Sequence, residues 1–183
     1  MTKYLVVGRS GTGKSSIVRA VCAEWNMTYL KSYTTRPMRD DDKMEPDHIF
    51  ITEEEVNQYK DDMAAWTEIG GYQYFSTKRL IQDSNFYIID PAGVEYLKNT
   101  CWDEFDFKVI YVRCNKKIAA LRTKDRVNYS FEDRRCKEDE QFTQFEKRMD
   151  WDYHILNNGS FEEGVIKMKN VIERNEHKKE SKE

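Results

Sequence analysis

Short hydrophobic runs recur along the chain, each followed by a segment with helical spacing. Tyr4-Leu5-Val6-Val7 opens the series, and four apolar residues in a row suit a strand buried on both faces of a parallel sheet. From Ser15 to Trp25, Ile17, Val18, Val21 and Cys22 fall on one helical face. Phe86-Tyr87-Ile88-Ile89-Asp90 leads to Pro91, which suits a helix's first turn because its missing N–H is not needed there. Phe107 to Val112 leads to Asn115, an N-cap candidate for a helix over Lys116 to Lys124. Tyr153 to Leu156 leads to Asn157-Asn158-Gly159-Ser160 and a final helix to about Arg174. Strands alternating with helices predict an α/β fold, a mainly parallel sheet flanked by helices.

Residues 33–85 break this rhythm. Thr52-Glu53-Glu54-Glu55 is a capping-box pattern for a short helix. Around it lie the strand candidates Ile49-Phe50-Ile51 and Ala65 to Ile69, then a Gly70-Gly71 turn into Tyr72 to Phe75. The pattern predicts a small α+β insertion at 33–85 within one domain over 1–183, whose core is 1–32 and 86–175. Residues 176–183 are nearly all charged or polar and read as a disordered tail.

Composition narrows the classes. The 183 residues fit one domain, and a domain this long buries enough surface to need neither disulfides nor a structural metal. A net charge of −3 argues against a generally cationic nucleic-acid binder. No apolar run is long enough to span a membrane, and the N-terminus lacks a signal peptide's pattern. Cys22, Cys101, Cys114 and Cys136 lie far apart with no CxxC pair, so zinc and disulfide readings are poor and a reducing cytoplasm is the expected setting.

The strongest chemical signal is Gly8-Arg9-Ser10-Gly11-Thr12-Gly13-Lys14-Ser15, which fits GxxxxGK[ST] at every fixed position. Glycine lets such a loop wrap round an anion so that successive backbone N–H groups face phosphate oxygens, and the following helix adds the positive end of its dipole. Lys14 is then expected on the β and γ phosphates and the Ser15 hydroxyl on Mg²⁺. A glycine-rich turn without a ligand is the plain alternative, but the motif follows a hydrophobic strand and opens an amphipathic helix, as the mechanism demands. Asp90 ends another apolar run, at the carboxyl edge where ligands bind in open α/β sheets. It suits Mg²⁺ held through water or an oriented acceptor, and equally an N-cap for the helix at Pro91; the two roles are compatible.

Further segments resemble the guanylate kinase family in order. Ser32-Tyr33-Thr34-Thr35-Arg36-Pro37-Met38-Arg39 resembles S-x-T-T-R-x-x-R, and Asp47-His48-Ile49-Phe50 resembles D-Y-x-F. Trp66-Thr67-Glu68 and Gly71-Tyr72-Gln73-Tyr74-Phe75-Ser76 resemble E-W-A-E and G-N-Y-Y-G-[ST]; Asp90-Pro91-Ala92-Gly93-Val94 resembles D-x-Q-G-V, and Ile155-Leu156-Asn157-Asn158 resembles V-x-N-x. The resemblance implies a P-loop NTPase fold with an acceptor-binding insertion and a helical lid at about 122–138. It implies ATP on Gly8 to Ser15 and a nucleoside monophosphate gripped by Arg36 and Arg39, with Tyr74 as hydroxyl partner. Arg122, Arg126 and Arg134 or Arg135 would be lid arginines, and Asn157 would lie near the donor adenine. Without the family, Arg36 and Arg39 are basic residues of an exposed loop beside Asp40-Asp41-Asp42, the lid arginines are a solvated charged face, and Asn157 is a strand-end turn residue.

The chain departs from the family in the acceptor region. Ala65 stands where the family has the glutamate that reads the guanine edge, and His48 where it has a phosphate-binding tyrosine. Phe75 replaces a small glycine, and Ile88 replaces the first of two carboxylates. Ser32 and Ser76, matching base-contacting hydroxyls, are retained. Strand alternation puts Glu68 on the face opposite Ala65, so only a bulge or slip would let it substitute. The leading expectation is an ATP- and Mg²⁺-dependent nucleoside or deoxynucleoside monophosphate kinase acting on small-molecule nucleotides. Its rivals are a ribose 1,5-bisphosphate phosphokinase and a non-catalytic interaction domain, the last disfavoured by the complete loop.

Overall fold

A computed structural model describes residues 1–38, 46–125 and 130–181. The elements in chain order are β1 (Lys3–Val7), α1 (Lys14–Trp25), β2 (Ser32–Thr34), β3 (His48–Phe50), a 3-10 helix (Glu54–Asp62), β4 (Met63–Ile69), β5 (Tyr72–Thr77) and α2 (Lys78–Gln82). They continue as β6 (Phe86–Ile88), α3 (Pro91–Thr100), β7 (Phe107–Arg113), α4 (Lys116–Thr123), α5 (Phe131–Arg148), β8 (Tyr153–Leu156) and α6 (Phe161–Glu180).

The main sheet runs β6-β1-β7-β8 with every pairing parallel. Its strands are apolar on both faces because helices cover both. Successive side chains alternate, so Tyr4 and Val6 join Ile110 and Val112 against Ile17, Val18 and Val21 of α1 and Met168 of α6. Leu5 and Val7 join Val109 and Tyr111 against Val94 and Leu97 of α3 and Phe142 and Phe145 of α5. The result is a helix–sheet–helix sandwich in which the ends of β1, β6, β7 and β8 bring Gly8, Asp90, Cys114 and Asn157 to one edge.

The insertion forms a second sheet, β3-β2-β5-β4. It leans on α3, where Thr100 Oγ1 donates to the Ala64 carbonyl at 2.7 Å and both Ala64 and Ala65 are buried in the α3-facing core. The capping box forms as a reciprocal pair, Thr52 N–H to Glu55 Oε2 and Glu55 N–H to Thr52 Oγ1, and opens the 3-10 helix.

Two helices outrun the sequence reading. The sequence reading placed only a helical lid at about 122–138 here, whereas α5 runs from Phe131 to Arg148, capped by the Ser130 hydroxyl accepting from Asp133 N–H. Over 18 residues α5 buries only Glu138, Phe142 and Phe145, so its hydrophobic signature is thin. The expected disordered tail is a correction: α6 continues from Arg174 to Glu180. Asn175 is buried, its Nδ2 donating to Thr2 Oγ1 and Tyr4 Oη, while the Tyr4 hydroxyl donates to Glu176 at 2.9 Å and Lys179 pairs with Asp106. Charged residues with fixed partners do not behave as a solvated tail. Residues 182–183 lie outside the described residues. The four cysteines are unpaired, and no described helix is long and apolar enough to cross a membrane.

Candidate active site

The loop between β1 and α1 is shaped by left-handed glycines. Gly11 has φ 80°, and a Cβ there would lie 2.7 Å from the Ala119 carbonyl oxygen; Gly13 has φ 86°, and its Cβ would meet Asn157 Nδ2 at 2.8 Å. Only glycine fits either place without strain. Thr12 is buried and its hydroxyl donates back to the Arg9 carbonyl at 2.9 Å, closing the loop on itself. Lys14 and half-buried Ser15 follow in the first turn of α1, and Lys14 Nζ lies 3.4 Å from the Arg9 carbonyl.

A brace reaches the loop from the far side of the edge. Asn157 is buried at 3% exposure and its Nδ2 donates to the Thr12 carbonyl at 2.8 Å. Arg122 spans the same junction, Nη1 donating to the Asn157 carbonyl at 3.0 Å and, more weakly, to Thr12 O at 3.4 Å, and Nη2 to the Gly159 carbonyl at 3.1 Å. Both residues therefore hold the loop's backbone in this state.

Helix α5 covers the loop's other shoulder. Arg9 is turned into it, pairing with Asp139 at 2.6 Å and lying 4.8 Å over the Phe142 ring. The Glu138 carboxylate accepts from the Ser10 hydroxyl at 2.7 Å and the Ser10 amide at 3.1 Å, and also from Arg134 Nε at 2.9 Å. Burial alone would push the Glu138 carboxyl up, but the bonds from Ser10 and Arg134 outweigh it and hold it below the usual glutamate range. The sequence reading missed Glu138 and Asp139 because they sit in a run of charges. The one available signal was spacing: Glu138, Phe142 and Phe145 share a helical face.

Asp90 caps α3, its Oδ1 accepting from Gly93 N–H at 2.7 Å. Burial pushes its carboxyl up, against the pull of the Gly93 amide, Arg134 and Lys14. Asp90 thus feels the charges of both Arg134 and Lys14. Arg135 instead lies 5.9 Å over the Phe131 ring, with its charge felt by Cys114 beside Gly11. Arg39 and Arg126 lie outside the described residues.

The second sheet carries the residues expected to bind the acceptor. Ser32 pairs with His48 across β2 and β3, and their Oγ and Nδ1 share a hydrogen bond at 2.9 Å. The His48 ring meets Tyr74 edge-on at 5.4 Å. Thr67 opposes Tyr74 and Ala65 opposes Ser76, so these residues share one face; Ser76 is fully buried against the Tyr87 phenol. Arg36 is buried, its guanidinium 5.2 Å from the Phe50 ring and its Nη1 donating to the Pro37 carbonyl at 2.9 Å. Trp66 and Gln73 point the other way, joined by a 3.0 Å bond from Nε1 to Oε1, and Glu68 opposes Gln73 on that face. The irregularity in β4 falls between Met63 and Ala65, upstream of this stretch, so alternation holds from Ala65 to Glu68. Glu68 therefore lies on the face opposite Ala65.

The loop's donors suit an anion, as the Glu138 carboxylate on the Ser10 amide and hydroxyl demonstrates. Among the described residues no three His, Cys, Asp or Glu side chains come together as a metal cage. One hydroxyl and one carboxylate, Ser15 and Asp90, are the modest donor set Mg²⁺ uses when phosphates and water complete its octahedron. A surface hollow of about 710 Å³, lined by residues such as Asn170, Arg174 and His177, lies along α6 and includes none of these groups. Chemistry, rather than concavity, locates the site.

The sequence model described as guanylate kinase matches residues 1–175. The chain is 30% identical over 82 residues to a guanylate kinase of Thermotoga maritima, covering 43% of this chain and 40% of that one. It is 35% identical over 74 residues to a guanylate kinase of Malacoplasma penetrans, covering 38% of each. The chain thus spans about 40% of the length of the curated relatives it matches. The crystal structure of guanylate kinase from Anaplasma phagocytophilum superposes with a TM-score of 0.64 at 18% identity, over 94% of this chain and 86% of that one, a likeness of fold.

Proposed function

Because the chain belongs to the guanylate kinase family, we propose that it transfers the γ-phosphoryl group of ATP, with Mg²⁺, to a nucleoside or deoxynucleoside monophosphate. The carrying observation is the complete Gly8-to-Ser15 loop, held in anion-binding shape beside Asp90. The loop's N–H groups would take the donor phosphates, and Lys14 and Arg134 would hold negative charge on the group in transit. Mg²⁺, held by Ser15 and through water by Asp90, would neutralise charge on the β and γ oxygens. Across the cleft, Arg36 and Arg39 would grip the acceptor phosphate as bidentate forks that cannot lose their charge, with Tyr74 and His48 as further donors. An acceptor phosphate oxygen attacks the γ phosphorus, the bond to the β–γ bridging oxygen breaks, and ADP leaves. Arg126 and Arg135 would complete the charge around the closed site, which excludes water from the transfer.

The base-reading half of the acceptor wall is the divergent part. Ser32 and Ser76 remain on its face, but Ala65 offers no acceptor for guanine's N–H donors and Glu68 faces away. That specific gap favours, as a second reading, an acceptor without a base, such as ribose 1,5-bisphosphate. An ADP-release assay over GMP, dGMP, AMP, dTMP, CMP and ribose 1,5-bisphosphate tests both. Turnover of a nucleoside monophosphate supports the first reading, turnover of the bisphosphate alone replaces it with the second, and no turnover of any acceptor with Mg-ATP refutes kinase activity.

A further inference from the structure

We propose that Glu138 is a positioning residue that ties α5 to the phosphate-binding loop and aims Arg134 at the terminal phosphate of the bound nucleotide. The inference rests on the reading of Gly8 to Ser15 as a nucleotide site, and not on the identity of the acceptor. Three features carry it. Glu138 is 6% exposed, an unusual place for a carboxylate unless it is fully partnered. Its partners come from both sides of a junction: the Ser10 hydroxyl and amide on the loop, at 2.7 and 3.1 Å, and Arg134 Nε one helical turn earlier, at 2.9 Å. The bond to Nε holds one edge of the guanidinium plane and leaves its terminal nitrogens outside this contact, on a side chain that stays 45% exposed.

The charge of Arg134 also reaches the carboxylate at the sheet edge. Asp90, at the loop's mouth, feels both Arg134 and Lys14. Arg134 and the motif lysine thus act on the same carboxylate, at the sheet edge that carries the loop. Arg135, the next residue on α5, lies over the Phe131 ring and acts on Cys114 rather than on Asp90. A long arginine side chain loses much rotamer freedom when it binds, and a buried carboxylate that already holds its Nε removes part of that cost in advance. Arg9 reinforces the junction from the neighbouring loop position, through Asp139 and the Phe142 ring. Glu138 neither touches the nucleotide nor moves a proton; it acts through Arg134 and Ser10.

Calorimetric titration of the full chain with Mg-AMP-PNP and with Mg-ADP isolates the contribution of the terminal phosphate as the ratio of the two affinities. In Arg134→Ala this ratio falls about tenfold, the scale of one charge-assisted hydrogen bond. Glu138→Ala lowers the ratio by a similar factor, and the double variant falls no further than Arg134→Ala alone, because both changes remove the same contact. Glu138→Gln keeps the shape and a neutral acceptor, so it loses part of the ratio and guards against a fold defect in the alanine variant. A wild-type ratio in Glu138→Gln and Glu138→Ala overturns the proposal, as do losses that multiply in the double variant. Equal gains in affinity for both nucleotides also overturn it, since they would make Glu138 a plug on the loop. Failure of the wild-type chain to phosphorylate any acceptor would remove the kinase reading while leaving this ratio fully interpretable.

Discussion

Arg122 can act as a lid residue or as a loop brace, and the two roles leave opposite signatures in Arg122→Ala. Its guanidinium bridges Thr12, Asn157 and Gly159 through their carbonyls. The Thr12 bond is long, and that oxygen keeps the Asn157 amide at 2.8 Å, so little is lost there. Gly159 is exposed and water can replace its partner. What remains is one charge-assisted bond to the carbonyl of buried Asn157, about 1.5–3 kcal/mol in full, and nearer 1–2 after allowing for the arginine's own exposure. For a chain this long that is a fall in Tm of about 2–8 °C. If the same preorganisation serves nucleotide binding, the Kd for Mg-ATP rises about 5- to 30-fold. Thermal melts and calorimetry on the purified variant read both numbers, and Arg122→Lys should recover little because a lysine cannot bridge diverging carbonyls. A variant with wild-type Tm and Kd but collapsed turnover would refute the brace and leave Arg122 as a lid residue that acts only in the closed complex.

Lys14→Ala should abolish transfer while leaving the melting curve intact; more than a tenth of wild-type turnover at saturating ATP would remove the lysine from the chemistry. Asp90→Asn keeps an oxygen for the Gly93 amide but removes a buried charge. Because burial raises the Asp90 pKa in the fold, wild-type stability falls as pH rises through that raised value. The variant should therefore melt at or above wild type at pH 7, lose that advantage at acid pH, and turn over more slowly; a lower Tm at pH 7 would contradict the sign. Guanine nucleotides should not be preferred by the large factor a direct carboxylate contact gives, and Glu68→Ala should leave acceptor preference unchanged. Loss of a strong GMP preference in Glu68→Ala would show that the strand faces are wrongly assigned.

The parts of the fold that announce themselves are those where one local rule suffices. Tyr4 to Val7 is a buried parallel strand because nothing else so short is so uniformly apolar, and the loop that follows is a fixed spacing of glycine and lysine. The opposition of Ala65 and Glu68 followed from alternation alone, and it holds because the irregularity in β4 falls before Ala65. Glu138 was not readable in the same way. In Arg134-Arg135-Cys136-Lys137-Glu138-Asp139-Glu140 every charged residue looks alike, and only docking of α5 on the loop buries one of them. The end of α6 failed for the same reason: composition registers charge but not whether Thr2, Tyr4 and Asp106 lie opposite it.

That last contact bears on the order in which the molecule assembles. β1 lies between β6 and β7, and its first residues are clipped by Asn175 and Glu176, so the strand that launches the phosphate-binding loop takes its neighbours from the middle and far end of the chain. Contacts at such separation form only after long loops have closed, which makes them slow. The residues that begin the nucleotide site are thus among the last to find their surroundings. A chain cut after Arg174 would keep every side chain of the site yet hold β1 less firmly and unfold faster.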